Sequence, residues 1–421
     1  MKAFNNIIFY FPHHNVGGVS LLFLRVAKAL SSELNIYVVD YSDGFMAKNL
    51  PEGVRLIRID RGDLYPCNSL FIFQSFLPWR FPYLDKIDST SKIFFWNLHP
   101  HNFDPAIFNE NSNFLLWRII AVAINTLAFH RRKKIRAIVS ELISKDGLAF
   151  MDRENLSRTE QFLGKKLVIS EFLPVASPRL ERRMSSVRKK DYLSLAWVGR
   201  LADFKYRSLE HLIFRLNNLT DLDCKVKLSI IGDGDFRRKL ELQATKLSSA
   251  KLKVDFLGEL VSEDLHRQLR ENVDIVFAMG TSALEAASIG IPTFLVDYSF
   301  SKISGNYKFK LIYENSGFCL GEKITAESYE SHCSLSKAIK EVLSNYDTES
   351  RKCFSYWEKN FSVEEISKKL LNHCYLTTAT FDGFNKKEFF KSDRLGYLMR
   401  SFGWSIRGRA SKKIVGFRND C

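Results

Sequence analysis

The stretch "VDIVFAMGTSALEAASIGIPTFLVD", residues 273–297, holds a full alternation of structure. "VDIVFAMG" is an apolar run of strand length that ends at a glycine. Thr281 and Ser282 are residue types that start helices. Gly290 is a type that stops them, and Pro292 bars continuation. "TFLVD" is the next apolar run. Strands that are apolar throughout, separated by helices, form a parallel sheet covered on both faces. One carboxylate, Glu285, stands among small apolar residues of the helix. Ser282-Ala-Leu-Glu285 spells a capping box, in which Ser282 takes the amide of residue 285 and Glu285 returns to the amide of Ser282. The helix also begins at a strand end, so its free amides can instead face a phosphate.

The alternation extends toward the N-terminus. "YLSLAWVG" (192–199), "KVKLSIIG" (225–232) and "LKVDFLG" (252–258) read as strands. "YRSLEHLIFRLNNL", "DFRRKLELQATKL" and "SEDLHRQLREN" read as the helices between them, and further helical patterns fall at about 334–345 and 349–374. The first half repeats the scheme. "NIIFYF" (6–11), "NIYVVD" (35–40), "VRLIRI" (54–59), "LFIFQSF" (70–76) and "KIFFWNL" (92–98) are strand-like, with "GLAFMD" (147–152) and "KKLVISEF" (165–172) expected as the last strands. A helix is expected over 113–134. Residues 174–191 carry two prolines, many charges and little periodicity, as a linker does. The expected division is a first α/β domain over 1–173, that linker, a second α/β domain over 192–375, and a basic tail over 376–421. Sheets of this kind bind ligands beyond the carboxyl ends of their strands.

Bulk properties agree with two globular domains. The chain has 421 residues, where a single core seldom exceeds roughly 250–300. The formal net charge of +15 points to an anionic partner without choosing one. Seven scattered cysteines fit no metal spacing and read as reduced thiols in a cytoplasm. "MKAFNNIIFYFPHHN" has no signal-peptide pattern, and "FLLWRIIAVAINTLAF" (114–129) falls short of the roughly 20 residues a spanning helix needs.

Several strand-end loops carry candidate chemistry. "AWVGRLADFK" (196–205) places Gly199, Arg200 and Lys205 after a strand, where two cations can clamp a diphosphate or stand as solvated charges. "VGGVS" (16–20) sets Gly17 and Gly18 before a helix, as a close approach to a phosphate or as a simple turn. "FWNLHPHNF" ends a strand with His99 and His101, neither at metal-ligand spacing; each reads as an acid, base or donor or as a satisfied structural histidine, and the strand end favours His99 for the former. Asp233 and Asp235 spell D-x-D, but a Gly-Asp-Gly turn with Asp235 capping the next helix accounts for every residue.

The order of these motifs over residues 6–374 resembles the GT-B glycosyltransferases, and is most similar to their large retaining family of bacterial lipopolysaccharide and capsule transferases. "GGVSLLFLRVAKAL", "VGRLADFK", "IIGDGDFRRKLE", "VDFLGEL" and the opening stretch match its segments in turn. The resemblance implies two Rossmann-like domains facing across a cleft and a nucleotide-diphosphate sugar donor on the second. Arg200 and Lys205 would stabilise the leaving diphosphate. Glu285 would bind the ribose, with Gly280, Thr281 and Ser282 at its helix start. Gly258 and the two residues after it would lie beside the base. Gly17 and Gly18 would approach the diphosphate, and His99 the donor sugar. No cofactor or metal is implied. One departure stands out: the family's first glutamate falls on Phe277.

The acceptor class implied is a glycan or a lipid-linked oligosaccharide. The apolar helix ending in "HRRKKIR" (130–136) and the basic tail suit either an anionic membrane surface, hence peripheral association at the inner face of the cytoplasmic membrane, or a core helix with a solvated basic end and a C-terminal helix packed on the body. Without aromatic-interleaved or zinc-knuckle patterns, nucleic acid is not expected. The alternatives on this fold are a sugar-nucleotide 2-epimerase and a non-catalytic nucleotide-sugar-binding relative.

Overall fold

A computed structural model describes residues 4–74, 84–100, 102–103, 129–183, 192–219, 222, 224–247, 251–305, 307–329 and 335–385. The chain divides into two compact units: Met1–Leu173 with Lys369–Cys421, and Pro174–Lys368. The second boundary falls inside the helix Val363–Leu376.

In the first unit the strands are β1 (Asn6–Tyr10), β2 (Asn35–Asp40), β3 (Val54–Arg58), β4 (Ser69–Gln74), β5 (Lys92–Asn97) and β6 (Leu148–Phe150). Their order is β3-β2-β1-β4-β5-β6, with every neighbouring pair parallel. The continuous apolar strands have this cause: both faces are covered, so alternate residues have no wet side to turn to. Phe71, Phe73 and Phe95 join one core with Ile138, Val139 and Leu142 of the helix Phe129–Ser144. On Phe9, ring contacts continue to Phe23 (5.1 Å) and from Phe23 to Trp96 (6.3 Å), which seats the helix Gly18–Leu30.

The second unit repeats the plan. Its strands are β7 (Tyr192–Val198), β8 (Lys225–Ile231), β9 (Leu252–Gly258), β10 (Ile275–Ala278), β11 (Thr293–Leu295) and β12 (Lys310–Leu311). The order β12-β11-β10-β7-β8-β9 is the same winding as the first sheet, apart from an antiparallel last strand. Each of β7, β8, β9 and β10 is followed by a helix: Asp203–Asn217, Arg237–Leu247, Ser262–Asn272 and Thr281–Ile289 in turn. Both units are therefore Rossmann-like, with a switch point between the first and fourth strands.

Three expectations are corrected. Residues 165–172 form no strand: Val168 is 89% exposed, while Lys166 and Leu167 are tied to the Glu160 carboxylate. The helix expected to end near 134 runs to Ser144, because Ile135, Ile138, Val139 and Leu142 keep one apolar stripe on the core. The helical pattern 349–374 is two helices, Tyr346–Phe361 and Val363–Leu376, broken at Ser362. There Ser362 is extended, its hydroxyl donates to the Glu358 carbonyl (2.6 Å), and Ser177 bridges to it.

Past that break the chain rejoins the first unit. The Ala379 carbonyl accepts the Ile93 amide (3.0 Å), and Phe381 and Phe384 are buried in the same core as Phe95. The stretch 114–128, the linker residues 184–191, His101 and the basic segment 386–421 lie outside the described residues. Among the described residues no helix is long and apolar enough to cross a membrane.

Candidate functional site

The carboxyl ends of β7, β8 and β9 meet at a cavity of about 410 Å³. Gly199, Arg200 and Ser282 lie on its wall, with Gly232–Gly234, Glu259, Leu260 and Leu265. Its frame is backbone. Gly199 donates to the Ile231 carbonyl (3.0 Å), Leu201 to the Asp233 carbonyl (2.9 Å) and Gly232 to the Gly258 carbonyl (2.7 Å). The loops press so close that a Cβ at Gly232 would stand 2.3 Å from the Gly199 carbonyl oxygen, and one at Gly234 2.6 Å from that of Leu201. Bare glycine is needed at both positions. In the sequence these two residues stand in the Gly-Asp-Gly turn and in the family-like segment "IIGDGDFRRKLE", without a site role of their own. The G-x-G directly after β8 was the available signal.

Arg200 is exposed, and Lys205 is half-buried in the first turn of the helix Asp203–Asn217. Neither has a carboxylate partner among the described residues; the Lys205 ammonium lies 5.7 Å from the Phe204 ring centroid. Burial, and then the charge of Arg200, push the Lys205 ammonium down to about 8. A cation held in that condition lacks a counter-charge, and an anion bound there would supply it.

The capping box does not form. Gly280 occupies the N-cap with φ 66° and ψ −144°, no side chain caps the helix, and Ser282 lies inside it. That backbone region belongs almost wholly to glycine, so Gly280 lets the helix start two residues earlier than the text suggests. Thr281 is exposed, and Glu285 is half-buried one turn beyond Ser282. Gly258 closes β9 with φ 75°, next to the cavity residues Glu259 and Leu260.

Position 277 lies within β10, one residue short of its end. The Phe277 side chain is fully buried, stacked on Phe294 (5.1 Å) and edge-on to Phe309 (5.6 Å). It belongs to the core, and a carboxylate there would have no route to the strand end. The D-x-D is also accounted for. Asp233 accepts from the Gly234 amide (2.7 Å) and from Arg237 (3.0 Å), and both hold its carboxyl below the usual range. The following helix begins at Arg237, so Asp235 does not occupy its cap position.

In the first unit, Gly17 is the extended N-cap of the helix Gly18–Leu30, and a Cβ at Gly17 or Gly18 would meet nothing within 4 Å. Neither packing nor backbone strain demands glycine here, so the bare helix start is left open to a ligand. Asp40 anchors the loop before it. This buried carboxylate at the end of β2 accepts the amides of His13 (2.8 Å), Tyr41 (2.8 Å), Met46 (2.8 Å) and Ala47 (3.2 Å). His99 is exposed just past β5, its amide donating to Asn97 Oδ1 (3.3 Å).

Comparison with solved structures places this architecture. The lipopolysaccharide outer core galactosyltransferase WaaB superposes with a TM-score of 0.52 at 13% identity, over 88% of this chain and 99% of that one. Trehalose-6-phosphate synthase OtsA superposes at 0.53 and 11%, over 88% and 98%. A TarM variant from S. aureus, in complex with fondaparinux, alpha-GlcNAc-glycerol and UDP, superposes at 0.50 and 12%, over 88% and 99%. The fold is GT-B. No protein-family model and no curated protein matches the sequence.

Proposed function

We propose that the protein is a glycosyltransferase. It takes a nucleotide-diphosphate sugar on its second unit and passes the sugar, with retention of configuration, to a glycan or lipid-linked acceptor of cell-surface polysaccharide such as lipopolysaccharide or capsule. The observation that carries this reading is the pair Arg200 and Lys205, two cations without a carboxylate partner among the described residues, set at the end of β7 beside an open cavity. When the C1–oxygen bond of the donor breaks, negative charge collects on the departing diphosphate. A planar guanidinium, an ammonium and the free amides of the helix Thr281–Ile289 are groups that stabilise such charge without a metal. Glu285 is assigned to the ribose hydroxyls, Gly17 and Gly18 to the diphosphate, and His99 to the donor sugar. WaaB and OtsA, which share the fold, carry the names of a galactosyltransferase and a sugar-phosphate synthase.

The test is a thermal-shift panel of UDP-, GDP- and ADP-sugars on the native chain, Arg200→Ala and Glu285→Ala. At least one donor should stabilise the native protein, and Arg200→Ala should remove most of that shift. If no nucleotide sugar stabilises the native chain, the donor assignment fails. Peripheral attachment to the inner face of the cytoplasmic membrane is part of the same proposal, resting on the basic segments 130–136 and 386–421. Salt-sensitive sedimentation with anionic liposomes supports it, and absence of sedimentation removes it.

A further inference from the structure

The cavity has two chemically different ends. Its wall runs from Gly199 and Arg200 after β7, past Gly232–Gly234 after β8, to Glu259 and Leu260 after β9. Since β7, β8 and β9 are consecutive neighbours, and paired strands lie about 4.8 Å apart, the two ends are about 10 Å from each other. One end presents the cation Arg200. The other is lined by Glu259, an exposed residue whose carboxylate has no hydrogen-bond or ion-pair partner among the described residues. The second carboxylate on the wall, Asp233, is already taken by Arg237 and the Gly234 amide. A nucleoside diphosphate whose phosphates lie at Arg200 spans about this distance to its base, and Leu260 and Leu265 offer apolar surface to the flat face of a ring.

We infer that Glu259 reads the edge of the base and that the donor carries guanine. The inference rests on the donor site proposed above. A carboxylate only accepts hydrogen bonds. Guanine presents N1–H and the N2 amino group side by side, two donors that match two carboxylate oxygens. Uracil presents one N3–H between two carbonyl oxygens, both of which a carboxylate repels. Adenine presents its amino group beside an unprotonated ring nitrogen. Glu259 is exposed in the open site, so a base that covers it without offering donors strips water from the carboxylate and gives nothing back, and such a base is discriminated against.

The experiment is calorimetric titration of the full chain with GDP, UDP and ADP at one fixed salt concentration, for the native protein, Glu259→Gln and Arg200→Ala. GDP should bind the native chain at least about tenfold more tightly than UDP or ADP. In Glu259→Gln that preference should shrink to near parity, with GDP affinity falling and UDP affinity unchanged or higher, since the amide no longer repels the uracil carbonyls. Arg200→Ala should weaken all three together. UDP or ADP binding as tightly as GDP, or an unchanged preference in Glu259→Gln, overturns the assignment of guanine and leaves the donor site standing. Failure of all three diphosphates to bind overturns the donor site and the base assignment with it.

Discussion

The Lys205 ammonium lies over Gly199, so near that a Cβ at position 199 would stand 2.9 Å from it. Gly199 itself has φ 149°, a conformation that residues with a side chain rarely adopt. Gly199→Ala therefore does two things. It strains the strand-end loop by about 1–2 kcal/mol, and it displaces Lys205. Urea unfolding should show that loss of stability, and the thermal shift on adding a nucleoside diphosphate should fall more than the stability loss explains.

Lys205 is destabilising where it is charged. Its folded value is about 8 against an ordinary value of 10.5, so the folded state binds the proton more weakly than the unfolded state. Stability from this group is therefore gained as pH rises from about 8 to 10.5 and is missing below 8. Lys205→Met should unfold at higher denaturant than the native chain at pH 7, by on the order of 2 kcal/mol, and the gap should close by pH 10.5. The same variant should lose its response to diphosphate. In the native chain above pH 8, diphosphate binding should be accompanied by proton uptake, measurable by calorimetry in buffers of different ionisation enthalpy.

Phe277 gives a sharper contrast between motif and packing. Phe277→Glu restores the acid that the family pattern expects, but it places a carboxylate between Phe294 and Phe309 in a dry core. The expected loss exceeds about 4 kcal/mol, whereas Phe277→Leu should cost about 1 kcal/mol. A Phe277→Glu protein that folds with native stability and transfers sugar faster would refute the assignment of this position to the core.

Asp40 holds four backbone amides, one of them from His13 in the loop that leads to Gly17 and Gly18. Asp40→Ala leaves those four donors without their acceptor, the Met46 amide fully buried and the other three partly so. The expected cost is about 3 kcal/mol or more by urea unfolding. Hydrogen exchange should show early loss of protection over residues 11–17 and 45–48.

Periodicity and glycine placement in the sequence by themselves determined two Rossmann-like units. Runs such as "KVKLSII" are apolar along their whole length, and only a sheet covered on both faces rewards that pattern. The cation pair after β7 was legible for the same reason, since a strand end is a place the alternation defines. Three features were not legible, because tertiary contacts decided them. "KKLVISEF" is apolar enough for a strand, but the Glu160 carboxylate holds Lys166 and Leu167 instead of a strand partner, and Val168 faces water. The break at Ser362 had a local signal in Ser362-Val-Glu-Glu365, where Ser362 Oγ accepts the Glu365 amide (3.4 Å). Its consequence, the return of residues 369–385 to the first core, depends on Ala379, Phe381 and Phe384 finding a buried surface far away in sequence. The Ser282 capping box failed because Gly280 could take a backbone conformation closed to other residues and so begin the helix early. Local text can name the groups that would satisfy a helix end. Which residue stands at that end is set by the strand that delivers it.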